Sequence, residues 1–291
     1  MKQKTAIQRT ARAALLLVAL LLTNINAWAD TVSYIDEDGE TQTVTAAVID
    51  ENYNLSGGIG EGWYVVTGTV TYTGTVTLTG NVTIILADGC QMNIGSSNSR
   101  INGYGILGYI IKKSNYYNLT IYGQSAGTGS LNVYTTGKSH YCISGKDIII
   151  NGGNITADAD GNNSEAIRAK DSGSVTINGG TVNAATAILS ESRNININGG
   201  IVNASGGIIA VNEVVIKGGI VNANGDTYGI SAGYGIDLSW TRPTDRIYAS
   251  SYQAGKGTVT LASGKPYIDE DGNLHTASAL GTINGKTLNP T

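Results

Sequence analysis

The sequence predicts an all-β chain wound as a single-stranded, right-handed parallel β-helix, a β-solenoid of about 8–10 turns with a cap at each end. Three observations carry this. An eleven-residue phrase comes four times: DIIINGGNITA from Asp147, SVTINGGTVNA from Ser174, NININGGIVNA from Asn194 and EVVIKGGIVNA from Glu213. Its double glycines are spaced 27, 20 and 19 residues apart. Apolar residues within each copy alternate, as on a strand with one buried face. Composition agrees, with 40 Gly, 3 Pro and no Phe.

Residues 1–29 read as a cleaved signal peptide. Lys2, Lys4, Arg9 and Arg12 precede the apolar run from Ala13 to Leu22, and Ala27-Trp28-Ala29 places small residues where a signal peptidase cuts. The apolar run is shorter than the roughly 20 residues a membrane span needs. A secreted or cell-surface chain beginning near Asp30 is expected, with the periplasm as the other destination. No membrane insertion is expected.

Residues 30–62 are expected to form an N-terminal cap, 63–236 the β-helix and 237–291 a C-terminal cap. Both caps carry nearly one phrase, YIDEDGE from Tyr34 and YIDEDGN from Tyr267. Asp-Gly between strand-like runs signals a hairpin. Calcium is the other reading of these acidic loops, but neither has the spaced ligand series of a full calcium loop.

Between the caps, each repeat supplies three strands. Ile148 and Ile150 correspond to Val175 and Ile177, then Ile195 and Ile197, then Val214 and Ile216. After Gly-Gly, a second strand points Ile155, Val182, Val202 and Val221 inward. A third carries Ile143, Ile167, Ile188, Ile208 and Ile230. Parallel stacking places such columns about 4.8 Å apart per turn, and strand crossovers favour the right hand. Asn151, Asn178 and Asn198 form one expected amide ladder, Asn183, Asn203 and Asn222 another. Earlier runs, including Val70 to Leu78 and Val82 to Leu86, read as the same architecture with a looser period.

Without its leader the chain keeps 14 basic against 22 acidic residues, a net charge of −8. Nucleic acid is an unsuitable partner for such a chain, since phosphate binding needs clustered Lys and Arg. Cys90 and Cys142 lie in apolar strand-like runs, as buried free thiols or as a disulfide of an oxidising compartment. His140 and His275 are isolated, which argues against a zinc site or a His-dependent base. Asp147 and Asp171 are the best-placed carboxylates for hydrolysis on neighbouring turns, although the longer turn after Asp171 disturbs their alignment.

The segments Gly62-Trp63-Tyr64-Val65-Val66, Ile85 to Cys90 and Leu119 to Ser125, with the Ile-x-Gly-Gly turns, resemble a group of secreted bacterial parallel β-helix proteins. These are commonly labelled carbohydrate-binding domain-containing proteins. The ending Gly285 to Pro290 is similar too. The resemblance covers about Asp30 to Thr291 and implies glycan binding. It brings no catalytic or ligand motif with it.

Two site readings follow. Seven of the 16 tyrosines cluster at Tyr104, Tyr109, Tyr116, Tyr117, Tyr122, Tyr134 and Tyr141. Outward rings there would make a platform for sugar faces, with the hydroxyl as a polar handle; the alternative is that Tyr replaces Phe in the core. In the longest repeat, Asp158, Asp160, Asn162 and Glu165 alternate as oxygen ligands of a calcium loop would, or form a polar surface loop. No other cofactor is expected. The chain is therefore expected to be a non-enzymatic monomer that binds a polysaccharide or surface glycan. A structural or adhesive module is the runner-up, and a polysaccharide hydrolase or lyase the third reading.

Overall fold

Columns of like side chains settle the architecture. In the computed structural model, residues 29–55, 57–110, 115–240, 242 and 244–261 are described, with strand segments 266–268, 274–276 and 287–288. The expected leader, up to residue 28, lies outside them. The described residues contain no helix, and their parallel sheets stack as a β-solenoid of about 8 turns.

Three sheets line the column. The first has 11 strands: the antiparallel pair Ala29–Ile35 and Thr41–Ile49, then parallel strands from Gly62–Val66 to Val259–Leu261. The second runs parallel from Thr69–Tyr72 to Arg246–Ala249 and ends in antiparallel strands Thr287–Leu288, Pro266–Ile268 and Leu274–Thr276. The third has eight strands, from Val76–Thr77 to Tyr252–Ala254. Parallel stacking therefore continues beyond residue 236, through Leu261.

The register follows the sequence columns. Ile150, Ile177, Ile197 and Ile216 are paired in series and fully buried. So are Ile155, Val182, Val202 and Val221, and Ile143, Ile167, Ile188, Ile208 and Ile230. Each such side chain contributes about 1.5–3 kcal/mol by leaving water. Cys90 and Cys142 are free thiols inside this core, and burial pushes the Cys142 thiol up to about 11.

Both amide ladders form. Asn178 donates to Asn151 at 2.6 Å and Asn198 to Asn178 at 2.7 Å. Asn203 donates to Asn183 and Asn222 to Asn203, each at 2.8 Å. At the top of the glycine column the buried Asp245 carboxylate accepts the Gly219 and Arg242 N–H groups, each at 2.9 Å. Those bonds replace the Gly-Gly corner that the next turn, from Ile236–Leu238 to Arg246–Ala249, lacks.

The first YIDEDG copy is a hairpin. Asp36 accepts the Glu40 N–H, the Gln42 amide and the Asp38 N–H, which hold its carboxyl below the usual range. The second copy's flanking strands also pair antiparallel, with the turn itself outside the described residues. The N-terminal hairpin covers the outer face of the first sheet. Ala46, Val65 and Ile85 are buried there, beside Tyr34, Trp63 and Tyr122.

Candidate functional site

A ladder of side chains runs up the corner where each turn leaves the third sheet and enters the first. Its members are Asn81, Asn118, Asp147, Ser174, Asn194 and Glu213. Asn81 accepts the Asn118 N–H at 3.0 Å, and Asn118 the Asp147 N–H at 3.2 Å. Asp147 accepts both the N–H and the hydroxyl of Ser174 at 2.9 Å, and Asn194 accepts the Glu213 N–H at 3.3 Å. Asp147 therefore stacks on Ser174, while Asp171 sits in the longer turn with φ 56°. The register separates the expected carboxylate pair.

The next position in this corner is Gly235. With no side chain there, a shallow groove of about 370 Å³ opens, edged by Glu213, Val215, Tyr234, Asp237, Thr258 and Thr260. Val215, Asp237 and Thr260 form one outward column of the first sheet. Tyr234 stands at the lip, 47% exposed. Lys256 lies 5.1 Å from its ring centroid. An aromatic face beside two carboxylates and two hydroxyls can stack on a sugar ring and bond its hydroxyls.

The seven tyrosines read from the sequence are dispersed. Tyr122 is packed against Trp63 and Tyr34, at centroid distances of 5.7 and 4.5 Å, under the N-terminal hairpin. Tyr109 and Tyr116 pair through their backbones in a short antiparallel hairpin; the Tyr109 side chain lies outside the described ones. Tyr117 packs against the core, and Tyr134 lies under Arg100 at 5.8 Å. Tyr141 is buried, with Tyr104 beside it and the Arg168 guanidinium 4.6 Å from its ring centroid.

Three of the four calcium-loop residues are drawn to two different arginines. Arg100 pairs with Asp158 at 2.8 Å and reaches Asp160 at 3.9 Å. The Asn162 carbonyl accepts the Ser139 N–H at 3.1 Å. Glu165 pairs with Arg168 at 2.8 Å, and Arg168 also donates to Glu191 at 2.6 Å. Among the described residues no group of three or more His, Cys, Asp or Glu stands together as a metal site.

Burial raises the Glu165 carboxyl above the usual range, with Arg168 opposing the shift. The folded chain thus holds this proton more tightly than the unfolded chain. Stability from the group is full below about pH 4.3, the ordinary glutamate value, and is lost as pH rises through the raised one. Thermal unfolding of the parent and Glu165→Gln checks this. The difference in Tm, parent minus variant, is expected to fall as pH rises above about 4.3, the unfolded value; a rise would contradict the burial effect.

The sequence reading missed Tyr234, and with it the exposed Tyr228 and Tyr248. The available signal was the corner column itself: once the repeats are aligned, Gly235 falls where earlier turns carry Asn, Asp, Ser or Glu. No helix among the described residues is long and apolar enough to cross a membrane. Searches of protein-family models, curated proteins and solved structures found no match to this chain.

Proposed function

We propose that this is a secreted, non-enzymatic carbohydrate-binding β-solenoid whose sugar contact is the Tyr234 groove. The exposed Tyr234 ring, beside Asp237, Thr258 and Thr260, carries the reading. A ring offered at the edge of a shallow trough suits a polymer passing over the surface better than a small molecule enclosed by it. The signal-like leader and the resemblance noted above point the same way. A second reading, a stiff surface spacer, draws on the unbroken stacking from Gly62–Val66 to Val259–Leu261.

A glycan array probed with the parent, Tyr234→Ala and Gly235→Asn separates the two. Gly235 has room for a side chain, since an added Cβ meets nothing nearer than the Thr258 carbonyl at 3.5 Å. The asparagine would extend the corner ladder and fill the groove. Selective retention by the parent is expected, reduced about tenfold or more by either change, which corresponds to about 1.4 kcal/mol. Retention should survive calcium chelation, because Asp158 and Glu165 are engaged by arginines. No retained glycan, or retention unaltered in both variants, would reject the groove.

A further inference from the structure

A second tyrosine-lined hollow lies near the other end of the column. The loop Tyr53 to Leu55 and the turn after Tyr72 enclose about 310 Å³, edged by Tyr53, Asn54, Tyr72, Thr73 and Thr75. Burial pushes both tyrosine hydroxyls up to about 12, so the two stay neutral in ordinary buffers. The Tyr72 hydroxyl at the hollow's edge is buried and has no hydrogen-bond partner among the described residues. Among the described residues no charged side chain lines it. Uncharged hydroxyls, an amide and aromatic rings select a neutral polyhydroxylated ligand over a phosphate, a sulfate or a uronate.

The two hollows border one face. The first lies where the chain enters the third sheet, after Thr69–Tyr72, and the Tyr234 groove lies where it leaves that sheet, after Ile230–Ala232. The paired column Val76, Ile106, Ile143, Ile167, Ile188, Ile208, Ile230 sets their separation. Its six steps amount to about 29 Å along the axis at about 4.8 Å each. The part-exposed Leu189 and Ile209 lie on this face between them, with exposed Val211 at its edge.

We propose that the Tyr53–Tyr72 hollow is a second sugar site, and that one neutral polysaccharide chain crosses the third face held at both hollows. This rests on the groove reading above. Two tethered contacts raise affinity for a chain long enough to reach both, typically by 10²–10⁴ over one contact alone.

Titration calorimetry tests it with soluble β-glucan, xylan, mannan and galactan, with their tetrasaccharides, and with polygalacturonate. Three variants are compared with the parent: Tyr53→Ala, Gly74→Trp and Tyr234→Ala. Gly74 has open space around an added Cβ, so the tryptophan fills the hollow without truncating its wall. At least one neutral tetrasaccharide is expected to bind the parent at two sites and each variant at one. The matching polymer should lose about 100-fold in affinity in every variant. A single tetrasaccharide site in the parent, or polymer affinity unchanged in both Tyr53→Ala and Gly74→Trp, overturns the second site; loss in Tyr234→Ala alone then leaves the groove reading standing. Polymer affinity unchanged only in Tyr234→Ala rejects the groove and the crossing together. Tighter binding of polygalacturonate overturns the neutral-chain assignment, and no binding by any probe rejects both proposals.

Discussion

Gly200→Ala is expected to lower the melting temperature by roughly 10 °C, whereas Gly74→Ala leaves it unchanged. Gly200 has φ of 81° and stacks directly on Gly180. A Cβ there would lie 2.6 Å from the Gly180 carbonyl oxygen and 2.9 Å from the Gly179 carbonyl carbon. Both atoms are backbone, and the Ile220 and Ile201 N–H bonds to Gly200 and Gly180 tie the turns together at 2.9 and 2.8 Å. Neither turn can retreat without breaking its neighbour. Left-handed backbone costs alanine about 1–2 kcal/mol, and overpacking adds about 1–3 kcal/mol. A total on the order of 3 kcal/mol lowers Tm by about 2–4 °C per kcal/mol in a chain of this size. Gly74 has no left-handed φ and no atom within 4 Å of its added Cβ, so the same change meets nothing. Equal Tm losses in the two variants would contradict the stacked-turn account.

Ile177→Ala is expected to cost about 2–5 kcal/mol. The side chain is fully buried, paired with Ile150 below and Ile197 above. Ladder bonds hold those turns in register, so the cavity cannot collapse. A solenoid's energy is close to a sum of repeat and neighbour-interface terms, so the weakening should be local. Amide exchange should accelerate most in the strands bearing Ile150, Ile177 and Ile197 and least near Ile84 and Ile236. Uniform acceleration along the chain would show that the turns do not couple mainly to their neighbours.

The columns were legible because stacking repeats the same demand every turn. Ile177, Asn178 and Gly180 each answer an inward face, an amide ladder and a left-handed corner, and all three can be read from aligned copies. Tyrosine was less legible, because its direction depends on what covers each corner. Tyr122 lies on an outer face, but the N-terminal hairpin covers that face. Val65-Val66 and Ile84-Ile85-Leu86 carried a trace of this: neighbouring apolar residues mean that both faces of a strand are covered. Asp158 and Glu165 share an insertion in the sequence, yet they pair with Arg100 and Arg168, and spacing within one loop could not reveal those partners. The Tyr234 groove arises from a missing side chain at Gly235, which only the register of the whole column exposes.

Polysaccharide in the Tyr234 groove, as proposed, would shield the backbone around it from exchange. Hydrogen–deuterium exchange of the chain, with and without the glycan it retains on the array, measures that shielding. Slowed exchange is expected in Tyr234–Asp237 and Thr258–Thr260, with the second-sheet strands Thr181–Ala184 and Ile201–Ala204 unchanged. Protection confined to the second sheet, or none at a saturating glycan concentration, would exclude the Tyr234 groove as the binding site.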